Sequence, residues 1–152
     1  MKLVCESLDE SLSFEKRKDP FAALGIGRKK MIEDWLDEMD VRHYIINDDF
    51  TIDTKTGVDL FNRSLKQLPD FIQFNDIHGD FQCHHNKLIS LKGCPRYVDD
   101  DFMCSYNGLT SLRGCPEYVG CRFYCRGNKK HFAEDYIRSL CDVKIQIINK
   151  EN

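Results

Sequence analysis

The sequence has no apolar run near the roughly 20 residues that a membrane-spanning helix needs. Its start, Met1-Lys2-Leu3-Val4-Cys5-Glu6, lacks the longer apolar core of a secretion signal, so export by a standard route is not expected. It also lacks an excess of positive charge. Its 22 Lys and Arg stand against 25 Asp and Glu, for a net charge of −3 and a pI near 5.9. That balance gives no reason to expect nucleic acid or an anionic membrane surface as a partner. Although there are eight cysteines, no two are spaced Cys-x-x-Cys, the spacing common in zinc sites. Without a secretion signal, reduced thiols are the expectation. What is present, 41% hydrophobic and 31% charged residues over 152 positions, fits one soluble domain with a real core.

The chain repeats itself. Residues 81–98 aligned on residues 102–119 give 11 identities in 18 positions, at an offset of 21. Phe81, Cys83, Asn86, Leu88, Leu91 and Gly93-Cys94-Pro95 fall on Phe102, Cys104, Asn107, Leu109, Leu112 and Gly114-Cys115-Pro116. A third copy opens with Phe123, Cys125 and Asn128, then breaks at Lys129-Lys130. A degenerate copy precedes them. Val58, Leu60, Leu65, Leu68 and Pro69 keep the spacing, but Arg63 replaces the asparagine. Ile145 and Ile147 follow Phe123 and Cys125 by 22 residues and are read as a closing strand.

Each unit reads apolar-x-apolar-x-x-Asn-x-Leu-x-x-Leu. Alternation over its first positions is the mark of a strand with one buried face. The asparagine amide has two donors and an acceptor, so it can satisfy backbone groups that a turning chain leaves unpaired. The leucines point inward from the next segment, and Gly-Cys-Pro turns the coil. One unit cannot bury its apolar side alone, so the copies must stack into a solenoid. The exposed ends of such a stack need caps.

The flanks supply candidates. Over residues 28–40, Ile32, Trp35, Leu36 and Met39 make one helical stripe, and Trp35 is read as core. Tyr44-Ile45-Ile46 and Phe50-Thr51-Ile52 flank Asn47-Asp48-Asp49 as a hairpin. Phe132, Tyr136, Ile137 and Leu140 form a second helical stripe before a strand at residues 144–148. The expected organisation is a flexible arm at 1–27, a helix and hairpin cap at 28–56, coils at 57–130, and a helix and strand cap at 131–152. The arm scatters Leu3, Leu8, Leu12 and Phe14 among charges, and its alternative role is a docking peptide.

The spacing Phe81-x-Cys83-x-x-Asn86-x-Leu88 resembles the leucine-rich repeat, in its short bacterial form. Leu65-Lys66-Gln67-Leu68-Pro69 fits that form directly. More narrowly, Gly79-Asp80-Phe81-x-Cys83, the Asn-x-Leu-x-Ser-Leu-x-Gly-Cys-Pro stretch and the Trp35-Leu36-Asp37-Glu38-Met39 helix resemble repeat proteins of tailed bacteriophages, over residues 26–148. The resemblance implies an α/β repeat fold, a leucine-rich-repeat-like solenoid with helical caps at both ends. It implies binding rather than a particular chemistry. The place of action it implies is the host cytoplasm or the virion. Repeat proteins of this class that act as ubiquitin ligases carry a separate catalytic domain, for which residues 131–152 are too few.

Cys83, Cys104 and Cys125 stand in one column and Cys94 and Cys115 in another, a buried thiol ladder beside the asparagine ladder Asn86, Asn107 and Asn128. The competing reading, zinc held by Cys83, His84, His85 and Cys94, fails on strand parity, because Cys83 and His84 face opposite sides. Cys5, Cys121 and Cys141 lie outside the columns and have no histidine at a spacing that would make a nucleophile. No catalytic residue, metal or cofactor is expected.

If Phe81 and Cys83 point inward, Gln82 and His84 point out. The same parity exposes Asp59, Phe61, Met103, Ser105, Tyr124 and Arg126, with His85 and Tyr106 beside them. Phe61, Gln82, His84, Met103, Tyr106, Tyr124 and Arg126 are therefore the candidate partner-binding residues. Aromatics, Met and Arg are enriched where proteins meet. The plain alternative is a solvated strand face. The expected function is a non-enzymatic protein-interaction module. The alternative is a virion or assembly component that self-associates.

Overall fold

The computed structural model describes residues 27–151. The expected arm at 1–27, apart from Gly27, and Cys5 within it lie outside the described residues. Among the described residues, helix α1 (Arg28–Glu38) comes first, eleven short strands follow, and helix α2 (Glu134–Leu140) is inserted between the ninth and tenth.

The strands form two sheets that the chain visits in turn. The first holds β1 (Tyr44–Ile46), β2 (Ile52–Thr54), β4 (Phe74–Ile77), β6 (Tyr97–Val98), β8 (Tyr118–Val119) and β10 (Asp142–Val143), side by side in that order. The second holds β3 (Val58–Asp59), β5 (Phe81–Gln82), β7 (Phe102–Met103), β9 (Arg122–Tyr124) and β11 (Gln146–Ile148). All pairings are parallel except β1 with β2, a hairpin. The protein is a repeat solenoid of about four turns. Each coil carries a strand of the first sheet, a tight corner, a strand of the second sheet and an irregular return.

Two features differ from the sequence reading. The Tyr-Val pair of each repeat is a second strand. The returns contain no helix over residues 57–130, so the coils are built of strands and irregular chain, not of the expected α/β units. Amides of the returns bond to the neighbouring coil instead of four residues back: Lys87 to Leu65 at 2.8 Å, Ile89 to Lys66 at 3.0 Å, Gly108 to Leu88 at 2.8 Å. A helix would consume those donors within its own turn.

The alternation expected for the second sheet holds. Val58, Phe81, Phe102, Phe123 and Ile147 stand in register and are buried. The rings of Phe81, Phe102 and Phe123 form a spine with Phe74. Centroids lie 5.2 Å apart for Phe74–Phe81, 5.9 Å for Phe81–Phe102 and 5.1 Å for Phe102–Phe123. Trp35 of α1 joins it 6.4 Å from Phe74. Ile32 and Leu36 are fully buried with it, and Met39 is half-buried at the helix end. The helix stops two residues short of the expected 28–40. Asp40 turns left-handed (φ 58°) and the Val41 amide bonds back to Leu36 at 2.8 Å, closing the last turn.

The closing strand is real but shifted. Ile147, not Ile145, pairs with Phe123, an offset of 24, and Ile145 is 60% exposed at the corner. The last return carries α2 and is longer, and the even shift keeps Ile147 on the inner face. The hairpin turn is also longer than expected: Phe50 lies in it with φ 66°, and the second strand starts at Ile52. In α2 only Ile137 is buried. Phe132 is buried just before the helix, while Tyr136 and Leu140 stay exposed, since two turns reach the core with one face only.

The asparagine ladder is explicit. Asn107 Oδ1 accepts the Leu88 amide at 3.0 Å, and its Nδ2 donates to the carbonyls of Cys83 and Cys104 at 3.0 and 3.1 Å. Asn128 repeats this with Leu109, Cys104 and Cys125. Asn86 takes the amides of Arg63 and Leu65 and donates to Leu60 and Cys83. Every asparagine thus bonds its own coil to the preceding one. Arg63 has no preceding repeat coil to bond, which explains the substitution there. Its guanidinium reaches the Met39 carbonyl at 3.3 Å instead. Asn107→Ala is expected to cost about 2–4 kcal/mol in denaturant titration, because it strands backbone groups at a bend. Arg63→Asn should stay within about 0.5 kcal/mol. Equal losses would show that the asparagine acts within its own coil only.

Candidate partner-binding face

The outer face of the second sheet collects the variable residues. Asp59, Gln82, Met103, Tyr124 and Ile148 form one column by register. One inward position follows (Leu60, Cys83, Cys104, Cys125), then a second outer column of Phe61, His84, Ser105 and Arg126. Backbone bonds continue the ladder there: Cys83 to the Met103 carbonyl and His85 to that of Ser105. Gln82, His84, Met103, Tyr106, Tyr124 and Arg126 are half-buried, and Phe61 is 45% exposed. Ser105 departs from expectation. It is buried, because it is the smallest member of its column and lies between His84 and Arg126.

The next position bends the chain. Asn62, His85, Tyr106 and Gly127 all have left-handed backbone, with φ of 53°, 55°, 55° and 70°. This bend brings His85 and Tyr106 onto the same strip as the outer column. Phe61 lies 4.7 Å from His84 and 5.4 Å from His85, and His85 stacks on Tyr106 at 4.6 Å and 22°. The Arg126 guanidinium stands 5.8 Å from the Tyr106 ring. Gly127 is needed for this packing, since a Cβ there would lie 2.4 Å from Tyr106 Cδ1. Under the strip, His84 Nδ1, Ser105 Oγ and Arg126 Nε are buried with no hydrogen-bond partner in the protein. Three such orphans in one column are unusual for a folded chain. Sequence parity found the outer rows and set His85 and Tyr106 beside them, but not the bend that turns both onto the strip, because its left-handed geometry has no signature in these residue types.

Five of the seven described cysteines lie inside the stack. Cys83, Cys94, Cys104, Cys125 and Cys141 are buried. Burial pushes the thiols of Cys125 and Cys141 up to about 12 and that of Cys115 to about 11, so they stay protonated and poorly nucleophilic. Cys121 is half-exposed, 4.0 Å from Asp100, with its thiol raised by partial burial and then by that carboxylate. At the opposite corner, Asp80 Oδ1 accepts the Asp101 amide and Asp101 Oδ1 accepts the Arg122 amide, both at 2.9 Å. This aspartate ladder went unread in the sequence. His78 Nδ1 lies 2.8 Å from Asp99, and its Nε2 lies 3.6 Å from Asp76. Among the described residues these three are the ligand-type side chains that converge within 4.8 Å, and no cysteine is among them. No described helix is long and apolar enough to cross a membrane.

No family model matches the chain, and neither a curated protein nor a solved structure matches it.

The hydrogen bond to Asp99, then the charge of Asp76, raises His78 above the ordinary histidine value of about 6.5, while burial and then His85 lower His84. Histidine NMR titration is expected to separate them in that order. By linkage, the His78 contribution is complete below its unfolded value and is lost as pH rises through its folded value. Protonating His84 opposes folding, so stability also falls as pH drops through its folded value. His78→Gln should remove the first slope and His84→Gln the second. If either variant keeps both slopes, that assignment is wrong. Gly127→Ala is expected to cost about 1–2 kcal/mol from its left-handed backbone. It should also shift the His85 ring resonances by moving Tyr106, and unshifted resonances would refute that packing.

Proposed function

We propose that the protein is a non-enzymatic interaction module of the leucine-rich-repeat type, which reads a protein partner with the outer face of its second sheet. One observation carries this reading. Two bulky residues, His85 and Tyr106, hold left-handed backbone where asparagine and glycine serve in the neighbouring coils. Each costs about 1–2 kcal/mol relative to an ordinary conformation. Strain kept at a surface bend is accounted for when the side chains it presents are used. Those side chains join Phe61, His84 and Arg126 in one strip beside Gln82, Met103 and Tyr124. Rings and arginine are the groups that carry binding energy in interfaces.

In this reading α1 and α2 are caps. They shield the ends of a stack that would otherwise expose apolar surface. The motif resemblance to phage repeat proteins makes a protein of the infected cell or of the particle the expected partner.

A second reading is self-association. β11 is the last strand of its sheet, and Ile145 and Leu140 are exposed at that end, at 60% and 39%. An open edge with apolar neighbours can pair with another chain. An assembly above dimer, lost with Ile145→Lys, favours it.

The deciding experiment is affinity purification of the tagged full chain from its native host, with Met103→Glu/Tyr124→Glu in parallel. A protein retained by the wild type and lost by the variant, at unchanged melting temperature, is the expected result. Capture that is equal in both would sink the reading.

A further inference from the structure

The first part of each return, from the bend onward, carries positive charge; Lys92 is paired there with Asp70 at 3.4 Å. Residues 60–69, 83–93, 104–114 and 125–133 contain eight Lys and Arg and no Asp or Glu. Among the described residues, Arg63, Lys66, Lys87, Arg126, Lys129 and Lys130 form no ion pair, whereas Arg42, Arg96, Arg138 and Lys144 are each paired. The opposite corner is the reverse: residues 75–80 and 97–101 hold five Asp and no Lys or Arg. A net charge of −3 therefore hides a basic, ring-bearing edge.

Such an edge fits an anionic, partly apolar occupant. A base-stacking strand is disfavoured by the ring geometry. His85 and Tyr106 stack on each other across adjacent coils, and the Arg126 guanidinium lies 5.8 Å from the Tyr106 ring, so these faces are already engaged within the protein. Bases bind to free ring faces. The unpaired Lys66 and Lys87, both exposed beside these rings, suit carboxylates instead.

The same chain contains a segment of that chemistry. Residues 3–15, Leu-Val-Cys-Glu-Ser-Leu-Asp-Glu-Ser-Leu-Ser-Phe-Glu, hold Glu6, Asp9, Glu10 and Glu15, no cation, and Leu3, Leu8, Leu12 and Phe14. They lie outside the described residues. Twelve residues, 16–27, separate them from α1, and so many span up to about 40 Å when extended. Arg63 and Arg126 are three coils apart, about 15 Å at the usual strand spacing. The tether is therefore longer than the edge itself.

We infer that residues 3–15 dock on the basic ring edge formed by Phe61, Lys66, His85, Lys87, Tyr106 and Arg126, and so compete with a partner for it. The competition rests on the partner-binding reading of this strip; the docking itself stands or falls with the peptide titration alone.

The test uses the full chain and a fluorescent synthetic peptide of residues 3–15. In the full chain, Glu6→Gln, Asp9→Asn, Glu10→Gln and Glu15→Gln together weaken the tethered segment. That variant is expected to bind the peptide at least tenfold more tightly than the wild type, whose edge is already occupied. Adding Lys66→Glu and Lys87→Glu, which are exposed and leave melting unchanged, should abolish binding. Raising salt from 0.15 to 0.5 M should weaken binding several-fold. The His85 ring resonances should shift between wild type and the neutralised variant. No binding to the neutralised variant, or binding indifferent to Lys66→Glu and Lys87→Glu, overturns the inference. So does displacement of the peptide by a twelve-residue thymidine oligonucleotide at lower concentration than by unlabelled peptide, which would assign the edge to nucleic acid.

Discussion

The structure depends on one side-chain bond pattern, the asparagine amide that spans two coils. A chain that turns every 21 residues must leave backbone amides and carbonyls facing inward at each bend. Burial limits their access to water, and the irregular returns pair few of them within their own coil. Asn107 meets the need with one acceptor and two donated bonds, to its own coil and to the one before. Stacking and turning are thereby made the same event. The phenylalanine spine then fills the space that the turns enclose, and the buried thiols fill the gaps beside it.

That device also shapes the face. Between strand and asparagine the chain must bend sharply, and it does so through a left-handed residue in each coil. Where Asn62 and Gly127 occupy that position, the conformation comes cheaply. Where His85 and Tyr106 do, a ring is thrown onto the strip at some cost in backbone energy. The positions that bind coil to coil are thus fixed in type, and the positions between them are free to differ. Gln82, Met103 and Tyr124 differ in that way within one column, as do His84, Ser105 and Arg126 in the next.

Much of the stack was legible in the sequence because side-chain period is a local property. Alternation placed Phe81 and Cys83 inside and Gln82 and His84 outside, and the fixed offset gave register for three coils. Legibility failed where length changed. The last return carries α2, so Ile147 rather than Ile145 met Phe123. The first-sheet strands at Tyr97 and Tyr118 were missed because two residues are too few to show alternation. Ser105 shares the outward parity of His84 but is buried, since exposure depends on the size of its neighbours in adjacent coils.

The sequence by itself determined the repeat, its asparagine ladder, and which residues of the second sheet face in. Those follow from spacing and from the hydrogen-bonding capacity of one amide. Only the tertiary structure decided that each coil has two strands and that the corner aspartates form a second ladder. It also decided that His85 and Tyr106 complete the ring strip, and that unpaired cations gather on one edge. These depend on which residues of different coils become neighbours, and that is set by the stack as a whole.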